Sequence, residues 1–473
     1  MRNYSGKRSS AEADCLQGNS RYRRPHESWS MAAGQVEGHM GRRALYAVKV
    51  PRRFRLAATT RTTMTIVAAS VCFGIPSSGQ SALPDGAGKQ TVSTACVTCH
   101  SLSTVTNAGH SLPGWQTVVH MMINAGAQVP PDQVAVVTEY LAKNFPEKTQ
   151  PDAVVVPGSV EVSIKEWQVP TPGSRPHDPL VAPDGSVWYT GQMANVLGRF
   201  DPKTNEFKEY TLKTPMSGPH GLVADRDGNI WFTANFKAYI GKLDPKTGAV
   251  TEYPMPDAKA HDPHTLLFAP NGKIYFTVQG GNMVGRLDPS TGEVKVVNSP
   301  TAKSNPYGMV VNSKGVPFFV EFGSYKVASI DPDTLEIHEY VLPHLDSRPR
   351  RVTITPDDVI WYTDYARGYL GRLDTKTGQT AEWPSPGGPR SQPYGITSVG
   401  NIIWYSESGT EPNTVVRFDP ATQKFQTWVI PSGGGVVRNM VHTPDGNLWL
   451  ACSGVNGIAY VEVKNGEKMA ARN

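Results

Sequence analysis

The segment Asp227-Gly-Asn-Ile-Trp231-Phe-Thr-Ala234, followed by Tyr239-Ile-Gly-Lys-Leu-Asp-Pro-Lys-Thr-Gly248, decides the fold of this chain. Apolar and polar residues alternate in both halves, which predicts two β-strands. Asp-Pro with a trailing Thr-Gly is typical of a type I turn between strands. The same text recurs every 43 to 45 residues, and its aromatic position holds Trp188, Trp231, Tyr275, Phe318, Trp361, Trp404 and Trp449. Seven copies of a four-strand unit at this period predict a seven-bladed β-propeller.

The two ends of the repeat region predict how the propeller closes. The seventh repeat ends after its third strand, at Ile458–Val463, and a strand without a repeat of its own, Val160–Val169, precedes the first. We expect this strand to complete blade seven, because closure leaves no exposed sheet edge. The propeller is therefore predicted over residues 160–465, with a short tail at 466–473.

A second motif, Cys96-Val-Thr-Cys99-His100, lies upstream of the repeats. Two thiols at this spacing can add to the vinyl groups of a haem while the adjoining imidazole binds the iron. A bare Cys-x-x-Cys also fits a redox pair or half a zinc site, but the sequence has no second Cys pair to complete a zinc tetrahedron. We therefore predict a covalent haem c, held by Cys96, Cys99 and His100.

Helical periodicity follows the motif, over residues 115–127 and from about Asp132 to Phe145. With it, residues 83–148 resemble a small class I cytochrome c, which implies an all-α fold and a methionine as sixth iron ligand. The resemblance favours Met122, with Met121 as the alternative, while His120 and His110 are also available. The expected fold class is thus mainly β: a seven-bladed β-propeller preceded by a small all-α cytochrome c domain. Residues 149–159 are expected to be a stiff linker with few contacts.

Charge and hydropathy predict an exported protein. The net charge of +5 is misleading, because residues 1–63 carry 13 Lys/Arg and 4 Asp/Glu and the rest of the chain is acidic. Nucleic-acid binding therefore loses its support. Basic residues precede the apolar run Met64–Ile75, which is too short to span a bilayer. We interpret residues 1–82 as a leader and export signal, with Met40 as an alternative start, and expect a periplasmic protein without a transmembrane span in its mature chain.

The repeat text resembles a known enzyme family. Pro219-His220-Gly221-Leu, Ile240-Gly-Lys-Leu-Asp and Gly248-Ala-Val-Thr-Glu-Tyr are similar to the streptogramin lyases, the virginiamycin B lyase family, over about residues 160–465. The resemblance implies opening of a macrocyclic ester by elimination, with a His base and Mg²⁺. That family has a His on its penultimate blade and a Glu-x-His pair on its last; this chain has Tyr394 and Val436-Val-Arg438-Asn439 there.

A rotated version of the lyase set is present two blades into the ring. His220 on blade two faces Asp262-Pro263-His264 on blade three, which is the same order of groups. If this set were catalytic, His220 and His264 would supply the imidazoles and Asp262 would hold Mg²⁺.

The residue after each repeated proline is predicted to line one mouth of the central channel. These residues are His177, His220, His264, Tyr307, Arg350, Tyr394 and, by spacing, Arg438. Such a set suits an anionic or oxygen-rich small molecule, although His in Pro-His-Gly also fits plain blade architecture. A second ring contains Glu321, Asp364 and Glu407, which could chelate a hard cation but which we expect to form ion pairs with Arg350 and Arg351. It also contains Cys452, which we expect to be a small buried hydrophobe and not a nucleophile.

Together these features predict an exported c-type haem protein that transfers electrons. Its propeller would bind a small molecule in the channel or dock a redox partner protein. Two alternatives stay open: a Mg²⁺-dependent C–O lyase with an appended cytochrome domain, and a propeller that serves only as an interaction module.

Overall fold

The structure is a computed structural model that describes residues 83–97, 102–106, 108–124 and 127–464. The predicted leader and export signal, the motif residues Cys99 and His100, and the tail lie outside the described residues, as does the side chain of Met121. Among the helices that are described, none combines the length and the apolar character needed to cross a membrane.

A helical segment precedes the propeller. Its helices are α1 Lys89–Ala95, α2 Leu102–Thr106, α3 Leu112–Asn124 and α4 Val134–Asn144. A 3-10 turn, Pro131–Gln133, leads into α4. Apolar side chains from all four helices pack around Trp115, whose indole N–H donates to the carbonyl oxygen of Phe145 at 2.7 Å. The two helices expected downstream of the haem motif are therefore present.

The β-strands form seven antiparallel sheets of four strands each, as the repeats predict. Blade one has β2 Pro176–Val181, β3 Val187–Gly191, β4 Val196–Asp201 and β5 Glu206–Thr211. Blade two has β6 Pro219–Ala224, β7 Ile230–Ala234, β8 Tyr239–Leu243 and β9 Val250–Pro254. Blade three has β10 Pro263–Phe268, β11 Ile274–Val278, β12 Met283–Leu287 and β13 Val294–Asn298.

The second half of the ring continues in the same order. Blade four has β14 Pro306–Val311, β15 Pro317–Glu321, β16 Lys326–Ile330 and β17 Ile337–Val341. Blade five has β18 Pro349–Ile354, β19 Ile360–Asp364, β20 Tyr369–Leu373 and β21 Thr380–Pro384. Blade six has β22 Pro393–Val399, β23 Ile402–Glu407, β24 Thr414–Asp419 and β25 Lys424–Val429. Blade seven has β26 Val437–His442, β27 Leu448–Cys452, β28 Gly457–Lys464 and the N-terminal strand β1 Glu161–Gln168.

Ring closure occurs where the sequence predicts it. Strand β1 pairs antiparallel with β28, with Glu161 opposite Lys464 and Gln168 opposite Gly457. Each innermost strand contacts the innermost strand of the next blade, and β26 contacts β2. The first and last parts of the propeller are thus joined within one sheet, so β28 is not left as an unpaired edge of blade seven.

Aromatic packing explains the spacing of the repeat. The tryptophan at the repeated aromatic position of the second strand stacks on an aromatic ring of the fourth strand, as in Trp231 and Tyr253, with ring centroids 5.4 Å apart. A glycine of the third strand faces the second-strand ring beside it: a Cβ on Gly241 would lie 2.1 Å from the Phe232 ring. The motif Ile-Gly-Lys-Leu therefore has glycine because the two strands approach closely, and not because a turn requires it.

The linker differs from its prediction. Residues 151–156 run along blade six, where Glu411 N–H donates to the carbonyl oxygen of Pro151 (2.9 Å) and Thr427 N–H donates to that of Val156 (3.0 Å). The N–H of Val156 in turn donates to Thr427 Oγ1 at 2.7 Å. The expectation of few contacts is wrong, because this segment satisfies backbone groups along the outer edge of blade six.

Candidate functional site

Seven side chains converge at the start of the innermost strands, and we call them the funnel ring. They are His177, His220, His264, Tyr307, Arg350, Tyr394 and Arg438. In every innermost strand the pairing register shifts directly after the first residue. Such a bulge re-aims the following side chain, which here places one residue of each blade in the ring.

Hydroxyl groups on the second strands fix these bulges and join the blades. Thr233 Oγ1 accepts from the N–H of Gly221 in its own blade (2.8 Å) and donates to the carbonyl oxygen of His264 in the next (2.7 Å). Thr190 and Thr277 make equivalent bonds. Sequence reasoning missed these threonines, although the repeated aromatic-x-Thr pattern marks them.

On the histidine side of the ring, neighbouring rings touch one another in a continuous row that we call the imidazole stack, although the rings are tilted by 41° to 47° instead of parallel. Ring centroids are 3.7 Å apart for His177 and His220, 3.7 Å for His220 and His264, and 3.8 Å for His264 and Tyr307. Burial, with help from nearby arginines, holds the pKa of all three imidazoles well below its ordinary value. The imidazoles are therefore neutral at pH 7, the state in which they can accept a proton or ligate a metal.

A buried carboxylate orients one end of this stack. Asp178 Oδ1 lies 2.9 Å from His177 Nδ1 and 2.6 Å from Arg351 Nη2. One carboxylate oxygen therefore contacts an imidazole of its own blade and a guanidinium group from blade five. The sequence analysis did not predict the pairing of Asp178 with Arg351. The signal for it was the third residue of each innermost strand, which is glycine in blades two, four and six but charged in blades one and five.

The arginine side of the ring is enclosed by aromatic rings. The guanidinium carbon of Arg350 lies 3.9 Å from the ring centroid of Tyr394, 4.2 Å from that of Tyr365 and 4.7 Å from that of Phe322. The Tyr394 hydroxyl oxygen is 2.5 Å from that of Tyr307. Although burial opposes ionisation, Arg350, Arg438 and Arg351 together lower the pKa of Tyr394 to about 8. This tyrosine can therefore exchange a proton near neutral pH.

One grouping of side chains in the described part of the chain has the geometry to hold a metal ion. His177, Asp178 and His220 each offer a ligand atom, and these atoms lie within 4.8 Å of one another. Asp178, however, is already engaged by Arg351. A cation at this place would have to compete with a guanidinium group for its carboxylate ligand.

The rotated lyase set is only partly assembled. His220 and His264 are adjacent, but Asp262 receives its hydrogen bonds from the Asn235 amide and from the Gly280 N–H. His264 Nδ1 instead lies 3.1 Å from Thr265 Oγ1. Burial raises the pKa of Asp262 well above its ordinary value, which weakens it as a ligand for Mg²⁺.

The expected ion pairs of the second ring are wrong. Asp364 pairs with Arg367 at 3.2 Å, Glu321 accepts from Ser299 and Ser324, and Glu407 accepts from Ser385 and Thr414. These carboxylates lie at the ends of second strands and bind the neighbouring loops. They therefore do not pair with Arg350 or Arg351. Cys452 is 1% exposed, as expected for a small buried residue, and burial raises the pKa of its thiol.

The helical segment adds two features. Cys96, the only haem-motif cysteine among the described residues, caps α1, and Met122 lies on α3; both are half-buried. His110, between α2 and α3, lies within electrostatic range of Arg175 and Arg438 at the mouth of the propeller channel; burial and both arginines lower its pKa. The helical segment is thus close to the funnel ring.

The fold and this ring define a seven-bladed propeller with a mixed imidazole, phenol and guanidinium site at the mouth of its channel. The model of the virginiamycin B lyase family matches residues 154–398 and again 336–470, so the chain belongs to the virginiamycin B lyase family.

Solved structures agree with this assignment. Virginiamycin B lyase from Staphylococcus aureus is 25% identical with a TM-score of 0.59, over 64% of this chain and 99% of that one. A streptogramin B lyase structure is 27% identical with a TM-score of 0.59, over 64% and 98%. Hydrazine synthase from Kuenenia stuttgartiensis, at 16% identity and a TM-score of 0.53 over 63% and 97%, shares the fold alone. Among curated proteins, none shows significant sequence similarity.

Proposed function

We propose that this protein is an exported, periplasmic c-type haem protein in which the helical segment transfers electrons to or from a substrate or partner at the propeller. Cys96-Val-Thr-Cys99-His100 carries the proposal, because thioether attachment with an adjoining imidazole ligand is what this spacing serves. Haem c would supply one-electron chemistry when bound. Cys96 and Cys99 would anchor it, and His100 and Met122, with Met121 as the alternative, would ligate the iron.

The position of His110 supports coupling between the two parts of the chain. Its electrostatic contact with Arg175 and Arg438 brings the helical segment to the mouth of the channel. Thr149 also accepts a hydrogen bond from Arg390 Nη1 at 3.3 Å, which ties the end of this segment to blade six. A redox group carried by the helices would therefore lie near a ligand in the funnel ring, and would not be joined to the propeller by a flexible linker alone.

The decisive experiment is reduction of the haem by compounds that bind the propeller. The exported full-length protein is oxidised, small molecules are added in turn, and the visible spectrum is recorded with dithionite as the reference for full reduction. Substitution of Tyr394 or Arg350, matched with Arg199→Gln on an exposed surface, shows whether reduction depends on the ring. Absence of haem from the exported protein would overturn the proposal.

The second candidate is a C–O lyase, favoured by family membership and by the neutral imidazoles of His220 and His264. A neutral imidazole in a buried site is a suitable base for the proton α to a carbonyl. We rank it lower because Asp262 bonds to Asn235 and Gly280 and not to either histidine. The third, a propeller that serves only as an interaction module, is compatible with the fold.

A further inference from the structure

We infer that the funnel ring binds a small organic carboxylate between Arg350 and Arg438. The inference deepens the proposed function by naming the ligand class of the ring, yet it can be tested without any redox reaction. Blades five, six and seven supply the site, with Tyr394 on blade six between the two arginines.

Arg350 and Arg438 carry charges that no described carboxylate balances, although aromatic rings surround Arg350. Neither Arg350 nor Arg438 has a carboxylate partner among the described ion pairs, and the Nε atom of each is buried without a hydrogen-bond acceptor. The Nε atom of Arg351 likewise has no acceptor, but its Nη2 atom lies 2.6 Å from Asp178 Oδ1, so Arg351 has an anionic partner. Charges that are removed from water are costly unless they are paired, so these two half-buried guanidinium groups, on blades five and seven, indicate a place for an anion.

At pH 7 no other group of the described ring supplies a free negative charge, since Tyr394, with a pKa of about 8, is still mostly protonated. The three histidines are neutral, since burial and neighbouring arginines hold the pKa of each well below neutrality. Burial favours the protonated form of Asp262, whose pKa is raised well above normal. Asp178 is thus the one carboxylate available to the described ring, and Arg351 occupies it. The site is electrostatically prepared for an anion and not for a metal cation.

The donor groups on this side of the ring suit a carboxylate. The guanidinium carbon of Arg350 lies 3.9 Å from the ring centroid of Tyr394, and Arg438, on the next blade, also lowers the pKa of that phenol. Guanidinium N–H groups pair with the two oxygens of a carboxylate in one plane, and a phenol can donate a further bond. Phe322 and Tyr365, with rings 4.7 and 4.2 Å from the Arg350 guanidinium carbon, add an aromatic wall. An organic acid with a flat apolar body suits this wall better than inorganic phosphate does.

The test is calorimetric titration of the full-length protein with benzoate, its neutral counterpart benzamide, and inorganic phosphate. We expect benzoate to bind, with benzamide and phosphate each at least tenfold weaker. Arg438→Gln and Arg350→Gln should each weaken benzoate binding at least tenfold, because each removes a charge-assisted hydrogen bond. Arg199→Gln, which alters an exposed ion pair, should leave it unchanged. Equal binding of benzoate and benzamide, or unchanged binding in both ring variants, overturns the inference. Equal binding of phosphate overturns the assignment to an organic acid.

Folding provides an independent readout. Without ligand, Arg438→Gln removes an unpaired charge, so its melting temperature should equal or exceed that of the wild type; a clearly lower value would show that Arg438 is a structural group. The two proposals also separate cleanly. Benzoate binding by a protein that carries no haem leaves this inference standing and overturns electron transfer. Ligand-driven haem reduction without any carboxylate binding would support electron transfer and overturn the carboxylate site.

Discussion

Arg351 and Asp178 form a buried ion pair across the propeller channel, with Arg351 Nη2 2.6 Å from Asp178 Oδ1. The two side chains are only 4% and 6% exposed, and the pair joins blade five to blade one. Because Asp178 also lies 2.9 Å from His177 Nδ1, the same carboxylate fixes the start of the imidazole stack. The propeller thus uses one charge pair for both closure and orientation of the ring.

Removal of this carboxylate should destabilise the propeller strongly. Asp178→Asn leaves the Arg351 charge buried and unpaired, and we expect a loss of about 3–5 kcal/mol in the free energy of unfolding. Urea unfolding followed by tryptophan fluorescence measures it. Asp184→Asn is the control, because its pair with Arg199 is exposed and should contribute less than about 1 kcal/mol. Combined with Arg351→Met, the loss should largely disappear; a double variant no more stable than Asp178→Asn would show that the pair is not the cause.

The repeat text predicted the blades well because each blade satisfies local rules. Alternation, Asp-Pro turns and Trp-to-Tyr stacking depend on neighbours within about 45 residues. The contacts within the funnel ring, by contrast, join residues that are far apart in the sequence. Asp178 and Arg351 lie 173 residues apart and meet only because the sheet closes, and Asp364 turns to Arg367 instead of Arg350 because the strand end points into a loop. Residue types at a repeat position could be read from the sequence, but their partners required the closed ring.

Covalent haem depends on both motif thiols. Cys96→Ala or Cys99→Ala should abolish haem staining after denaturing electrophoresis, since each thiol supplies one thioether bond. Cys452→Ala is the matched control, because that thiol is buried in blade seven and should leave staining intact. Replacement of Met122 should lower the reduction potential. Staining that survives both motif substitutions would remove haem c from this protein, and an unchanged potential would point to Met121.

Stepwise N-terminal truncation should separate linker contacts from ring closure. A chain that begins at residue 150 retains the bonds to blade six and should melt like the intact propeller. A chain that begins at 159 loses the bonds of Pro151, Val154 and Val156 to Glu411 and Thr427 and should be moderately less stable. One that begins at 171 also lacks β1 and exposes the edge of β28, so it should be the least stable or aggregate. Equal melting temperatures for the last two would show that β1 does not close the ring.

Tyr394 should titrate near pH 8, because Arg350, Arg438 and Arg351 lower its pKa to about 8 from the ordinary 10.0. Ultraviolet tyrosinate absorbance should rise through that range in the wild type and lose this step in Tyr394→Phe. A lowered pKa stabilises the folded state once the group ionises, so the free energy of unfolding should increase between pH 8 and 10, relative to Tyr394→Phe, by on the order of 1–3 kcal/mol. A step unchanged by Tyr394→Phe, or a decrease over that interval, would contradict this assignment.

Streptogramin ring opening distinguishes the redox protein from the lyase. We expect the wild type to show little of this activity with or without Mg²⁺, because Asp262 is bonded to Asn235 and Gly280 and its raised pKa makes it a poor metal ligand. If His264 were instead a general base, His264→Ala would lower turnover at least a hundredfold, and a chelator would inhibit. The exposed His338→Ala is the matched control, and the haem spectrum of both variants should equal that of the wild type. Strong Mg²⁺-dependent opening that His264→Ala abolishes would reverse our ranking, since the neutral imidazole stack would then serve elimination and the helical segment would be an appendage.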